Sequence, residues 1–142
     1  MTLSEAFDEI MLYSHFWNWS PDWGVVKDVY EKFPNSYSIL TPFAYSYLEE
    51  LIRSTTSDYG MGKEHVNGMR LIKLAIKENQ EKSEYVEHLE KIKRYYLQSK
   101  PKDGGENRHN VAHGYMHPRW WDKESFEELI QDIARISKYS GF

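Results

Sequence analysis

The strongest constraint on the fold is the spacing of apolar residues, which recur at three- and four-residue intervals along most of the chain and nowhere alternate as in a strand. Leu40, Phe43, Ala44, Tyr47, Leu48, Leu51 and Ile52 form one continuous helical stripe. Thr41-Pro42 predicts its start, a capping hydroxyl before proline at the first helical position, and Gly60 and Gly62 punctuate its end. A second helix is expected from about Gly62 to Asn79, with Val66, Met69, Ile72 and Ile76 on one face. A third begins at Ser83, with Glu84 and Glu87 early and Lys91, Lys93 and Arg94 late, an order that complements the helix dipole. Its inward stripe is Tyr85, Leu89, Ile92 and Tyr96.

The last helix is expected after Asp122 as cap, with Trp121 stapled to Phe126 and an inward face of Phe126, Leu129, Ile130, Ile133 and Ser137. Nearer the start, a helix from about Ser4 to Ser14 precedes a short one after Ser20-Pro21 that Pro34 stops. Trp17, Trp19 and Trp23 cluster at the joint between them, as a ligand platform or, more often for such clusters, as core or a partner interface. Long helices with short connections predict an all-α, up-and-down helical bundle of five to six helices, forming a single domain over residues 1–142.

Composition supports a packed fold. Eleven Tyr, six Phe and five Trp supply far more apolar surface than a disordered chain carries. With no Cys, a disulfide framework and thiolate metal sites are both excluded. The first residues are acidic and do not read as a signal peptide, and the uncharged stretch 35–48 is too short and too polar to span a bilayer. A cytoplasmic protein with no membrane partner is therefore expected. The net charge of −4 argues against a general nucleic-acid coating protein, but not against an enzyme that takes RNA at one local site.

The clear linker, Lys100-Pro101-Lys102-Asp103-Gly104-Gly105, leads into the segment with the most chemical content. That segment reads Glu106-Asn107-Arg108-His109-Asn110-Val111-Ala112-His113-Gly114-Tyr115-Met116-His117, and three of the six histidines fall in nine residues of it. A neutral imidazole can take the proton of a ribose 2′-hydroxyl, and a guanidinium fork matches the non-bridging oxygens of a phosphate. On a helix, residues five apart point roughly 140° away from each other, so Arg108 and His113 can flank a groove. Two other readings compete. Arg108 can pair with Glu106 while the histidines bond locally. His109, His113 and His117 can also be spaced as metal ligands, although Gly114 and Pro118 interrupt a continuous helix and there is no HExxH signature.

Arg108-His109-Asn110-Val111-Ala112-His113, followed by Gly114 and placed before a final amphipathic helix, resembles the Arg-x4-His motif of the HEPN superfamily. HEPN domains are helical bundles, typically homodimeric, and many are metal-independent endoribonucleases of toxin–antitoxin and defence systems. The resemblance implies Arg108 and His113 as the catalytic pair, His109 at the auxiliary polar position, and no cofactor. That auxiliary position is usually Asn or Asp, so His109 is a departure. Arg-x4-His-x-Tyr also resembles the toxin of MNT–HEPN pairs, which makes Tyr115 a modification candidate for a cognate nucleotidyltransferase. Asn110 and the basic Lys91, Lys93, Arg94 and Lys102 are candidates for holding RNA, or, for the basic residues, a solvated helix end. The alternative within the family is a non-catalytic module that binds a nucleotide or a protein.

Overall fold

The computed structural model describes residues 1–60, 65–96 and 122–142. Among them there are six α-helices and no strand: α1 Leu3–Tyr13, α2 Trp19–Lys32, α3 Tyr37–Arg53, α4 Gly68–Glu78, α5 Ser83–Ile92 and α6 Lys123–Ser137. Short 3-10 turns occupy Pro34–Ser36 and Lys93–Tyr96. Consecutive helices pack on one another, and α6 lies against α1, α3 and α5, so it carries the core. Its burial is correspondingly broad, with Phe126, Leu129, Ile130, Ile133, Ala134 and Ile136 all out of solvent. The chain is an all-α helical bundle.

Local chemistry sets most helix ends. Thr2 and Glu5 form a capping box at α1: the Glu5 amide donates to Thr2 Oγ1 at 3.1 Å and the Thr2 amide donates to Glu5 Oε2 at 2.7 Å. Asp122 caps α6 as the sequence suggests, its carboxylate accepting the Ser125 amide at 2.8 Å. Trp121, its expected staple, lies outside the described residues. The stripes expected on α5 and α6 are buried residue for residue.

Two helix starts differ from the sequence reading. α3 begins at Tyr37, directly from the Pro34–Ser36 turn, and Thr41-Pro42 lies inside it. Thr41 does not cap; its hydroxyl donates back to the Tyr37 carbonyl at 2.7 Å, the bond open to a mid-helix threonine. Pro42 is exposed and leaves one helical hydrogen bond unmade. Likewise α4 begins at Gly68, well after Gly62: Asn67 is extended, and a contact from another helix holds Val66 and Asn67 outside α4. Arg53 of α3 donates to the Val66 carbonyl at 2.9 Å and to Asn67 Oδ1 at 2.8 Å. Gly68 then turns the chain at φ +58°, and Glu49 accepts its amide at 2.9 Å.

The N-terminal joint also differs. α2 has 14 residues and is not short, since Asn18 caps it before Ser20-Pro21. The three tryptophans do not form one cluster. Trp23 is fully buried, edge-on to Tyr47 and Phe43 at 5.1 Å each, and Trp19 packs beside it. Trp17 points outward and is 75% exposed.

Candidate functional site

Residues 97–121, which hold the Arg-x4-His motif, connect Tyr96 to Asp122. Arg108, His109, Asn110, His113, Tyr115, Lys102 and His117 all lie outside the described residues. What the structure defines is the ground on either side: the Lys93–Tyr96 turn and α6.

That ground is fastened by one carboxylate. Asp132 is buried on α6, and its Oδ2 accepts the Tyr95 hydroxyl at 2.6 Å and Arg94 Nη2 at 2.6 Å. Arg135 Nη1 donates to the other oxygen at 2.8 Å. Arg94 also donates to Glu128 at 2.9 Å, to Tyr95 Oη at 2.7 Å and to the Lys91 carbonyl at 2.8 Å. Its guanidinium carbon lies 4.3 Å from the Tyr95 ring centroid, a cation–π arrangement. Buried charge persists only when it is paired and hydrogen-bonded in this way. Burial and the Asp132 charge push the Tyr95 hydroxyl far above its ordinary value, so it remains a donor. Burial alone would lower Arg94, but the negative groups around it outweigh that and keep it charged.

The basic candidates therefore divide. Arg94 spends its donors inside the protein. Lys93 lies 2.7 Å from Glu90, and Lys91, with Glu87 4.0 Å away, keeps 65% of its side chain in solvent.

A second buried-edge network holds the loop after α3. Asp58 Oδ2 accepts Arg53 Nε at 3.2 Å and the Val66 amide at 3.2 Å, and His65 Nδ1 lies at 3.2 Å. Burial alone would raise Asp58, but the hydrogen bonds from Arg53 and His65 dominate and hold its carboxyl below the usual carboxylate range. No group of three metal-ligating side chains occurs among the described residues.

Sequence reasoning did not find Asp132 or the Arg53–Asp58 pair. The available signal for the first was an acid on α6 between Leu129 and Ile133, both of the inward stripe. The second is close in sequence, five residues apart, but it straddles the end of α3 and is completed by Val66 and Asn67 from thirteen and fourteen residues on, so no helical stripe announces it.

Comparison of the chain with protein-family models, with curated proteins and with solved structures finds no match.

Proposed function

We propose that this protein is a metal-independent endoribonuclease of HEPN type, a toxin or defence effector acting on RNA. The observation that carries the reading is the Arg108-x4-His113-Gly114 sequence, in the stretch of chain that precedes the last helix of an all-α bundle. His113 removes the proton from a ribose 2′-hydroxyl, and the 2′-oxygen bonds to phosphorus as the bond to the 5′-oxygen breaks. Arg108 stabilises the charge that builds on the non-bridging oxygens. His109 orients or assists, and the departing 5′-oxygen takes up a proton from solvent. The products are a 2′,3′-cyclic phosphate and a 5′-hydroxyl.

A homodimer follows from the same sparse site, since a two-fold axis beside it would bring a second Arg108–His113 pair to one phosphate. Tyr115, two residues after His113, is the position where a cognate nucleotidyltransferase would place phosphate charge against the site.

The test is cleavage of a defined RNA with and without chelator. Equal rates in EDTA, with cyclic-phosphate ends on the product, support the reading. Loss in EDTA restored by zinc would move His109, His113 and His117 to metal ligation. The second reading, a non-catalytic nucleotide- or protein-binding module, draws on the internal use of Arg94 and Lys93, which removes phosphate contacts from the motif's flank. Its mark would be tight binding without any cleaved product.

A further inference from the structure

We infer that Arg70, Lys73 and Lys77, a row of cations along the outer face of α4, bind the phosphate backbone of an RNA strand, an inference that rests on reading the protein as one that acts on RNA. All three are exposed. At about 100° per residue they fall within roughly 60° of one another around the helix axis and span about 10 Å along it. The buried Leu71, Ile72 and Ala75 occupy the opposite face. None of the three cations is hydrogen-bonded or ion-paired to another described residue. Most cations elsewhere are paired: Lys27 with Asp8 at 2.8 Å, Lys93 with Glu90 at 2.7 Å, Arg135 with Asp132 at 2.8 Å and Lys138 with Glu84 at 3.5 Å. Lys32 is unpaired too, but it stands alone in the last turn of α2, where the dipole favours it. The dipole does not account for Arg70. That residue lies in the first turn of α4, which holds no acid, so its charge is set against the positive end of the helix. The row also begins beside the start of the motif-bearing stretch: a Cβ built at Gly68, two residues before Arg70, would stand 3.8 Å from Tyr96 Cδ1.

The make-up of this face selects among anionic partners. A bilayer surface is held by a helix that turns apolar side chains outward as well as cations, and those of α4 are spent on the core. Protein interfaces are poor in Lys at their centre and draw their affinity from buried aromatic or Arg anchors, whereas two of these three cations are exposed lysines with no aromatic among them. A nucleic-acid strand makes neither demand. It carries a charge at every nucleotide, and each phosphate neutralised by a mobile cation releases a counterion, so a bare row of Lys and Arg suffices. The acids at the two ends of α4 do not quench the row, because their oxygens bond to backbone: Glu49 accepts the Gly68 amide and Glu78 the Ser57 amide, each at 2.9 Å. In a chain of net charge −4 the attraction is therefore local to this face.

The experiment measures binding of a short, uncleavable 2′-O-methyl RNA oligonucleotide by fluorescence anisotropy at several salt concentrations. It compares wild type with Arg70→Gln/Lys73→Gln/Lys77→Gln, with the charge-keeping Arg70→Lys/Lys73→Arg/Lys77→Arg, and with Lys27→Gln/Lys32→Gln/Lys138→Gln, which makes the same change in net charge on other helices. The α4 side chains are exposed and unpaired, so the first variant should melt no lower than wild type. Expected for it is a loss of about tenfold or more in affinity and a salt slope shallower by about two, as three lost phosphate contacts on a single strand require. The charge-keeping variant should bind as wild type does, and the variant on other helices should keep the wild-type slope. An unchanged slope in the α4 glutamine variant overturns the inference, and so does an equal loss from the cations of the other helices. Loss of binding to phosphatidylserine vesicles with RNA binding intact would overturn it in favour of a membrane surface. The ribonuclease reading is decided separately by cleavage: wild type that binds through α4 but cleaves no RNA keeps the row and sinks the catalytic reading, while wild type that cleaves RNA with the α4 variant binding as tightly does the reverse.

Discussion

The Tyr95 hydroxyl donates to the Asp132 carboxylate at 2.6 Å, tying the last described turn before the motif to the middle of α6. Asp132 stands ten residues beyond Asp122, roughly 15 Å along the helix axis. The two ends of the motif-bearing stretch are thus fixed to different levels of one helix, one by a hydrogen-bond network and the other by the chain itself. Tyr95→Phe removes a hydrogen bond to a charged, buried group, which costs about 1.5–3 kcal/mol. For a chain of this length that lowers Tm by about 5–10 °C. Thermal unfolding checks it, and a Tm unchanged within error would mean the bond does not bear on stability.

Arg94 and Lys91 separate stability from RNA binding. Arg94→Ala leaves Asp132 short of a partner and should lower Tm markedly. Lys91→Ala touches no buried group and should leave Tm unchanged, while weakening RNA binding a few-fold and reducing the salt slope by about one. Melting curves together with binding at several salt concentrations check both halves.

Pro42 is a mid-helix proline whose ring is exposed. Such a residue costs about 3 kcal/mol, part of which is offset because proline also restricts the unfolded chain. Pro42→Ala permits the missing bond to the Ser38 carbonyl and should stabilise by about 1–2 kcal/mol, raising Tm by about 3–7 °C. A fall in Tm on this substitution would show that the proline shapes α3 in a way the bundle requires.

Asp58 predicts an acid limb. Its folded pKa lies below its unfolded value, so the stabilisation it gives is complete above about pH 4 and is lost as pH falls through the folded value. Asp58→Asn should therefore lower stability at neutral pH and flatten the decline on the acid side. Tm measured from neutral pH into acid, for both proteins, checks the sign.

The contrast between α6 and α4 shows what the sequence could reveal. α6 was legible because its cap, Asp122, and its stripe from Phe126 to Ser137 are local and belong to one helix. The start of α4 was not, because Arg53 reaches across thirteen residues to bond the Val66 carbonyl just before the helix, and no window around Gly62 contains that bond. Thr41-Pro42 misled for a related reason: the pair is a good helix start in isolation, but the Pro34–Ser36 turn had already begun the helix. At the candidate site, Arg108 and His113 were read from their spacing and from resemblance. Asp132, which anchors the flank, is a polar residue beside an apolar stripe, and its partners Arg94 and Tyr95 come from another helix end.

The proposed cleavage of RNA by Arg108 and His113 is tested most directly by single-turnover cleavage of RNA in EDTA. Both residues belong to a short polar segment outside the apolar stripes, so truncating either should leave Tm within a degree or two of wild type. Arg108→Ala and His113→Ala should each reduce the cleavage rate by a factor of about 10² or more, with RNA binding largely kept. Wild-type protein that cleaves no RNA, combined with an Arg108→Ala variant that melts far lower, would contradict the claim and make Arg108 a structural ion-pair partner.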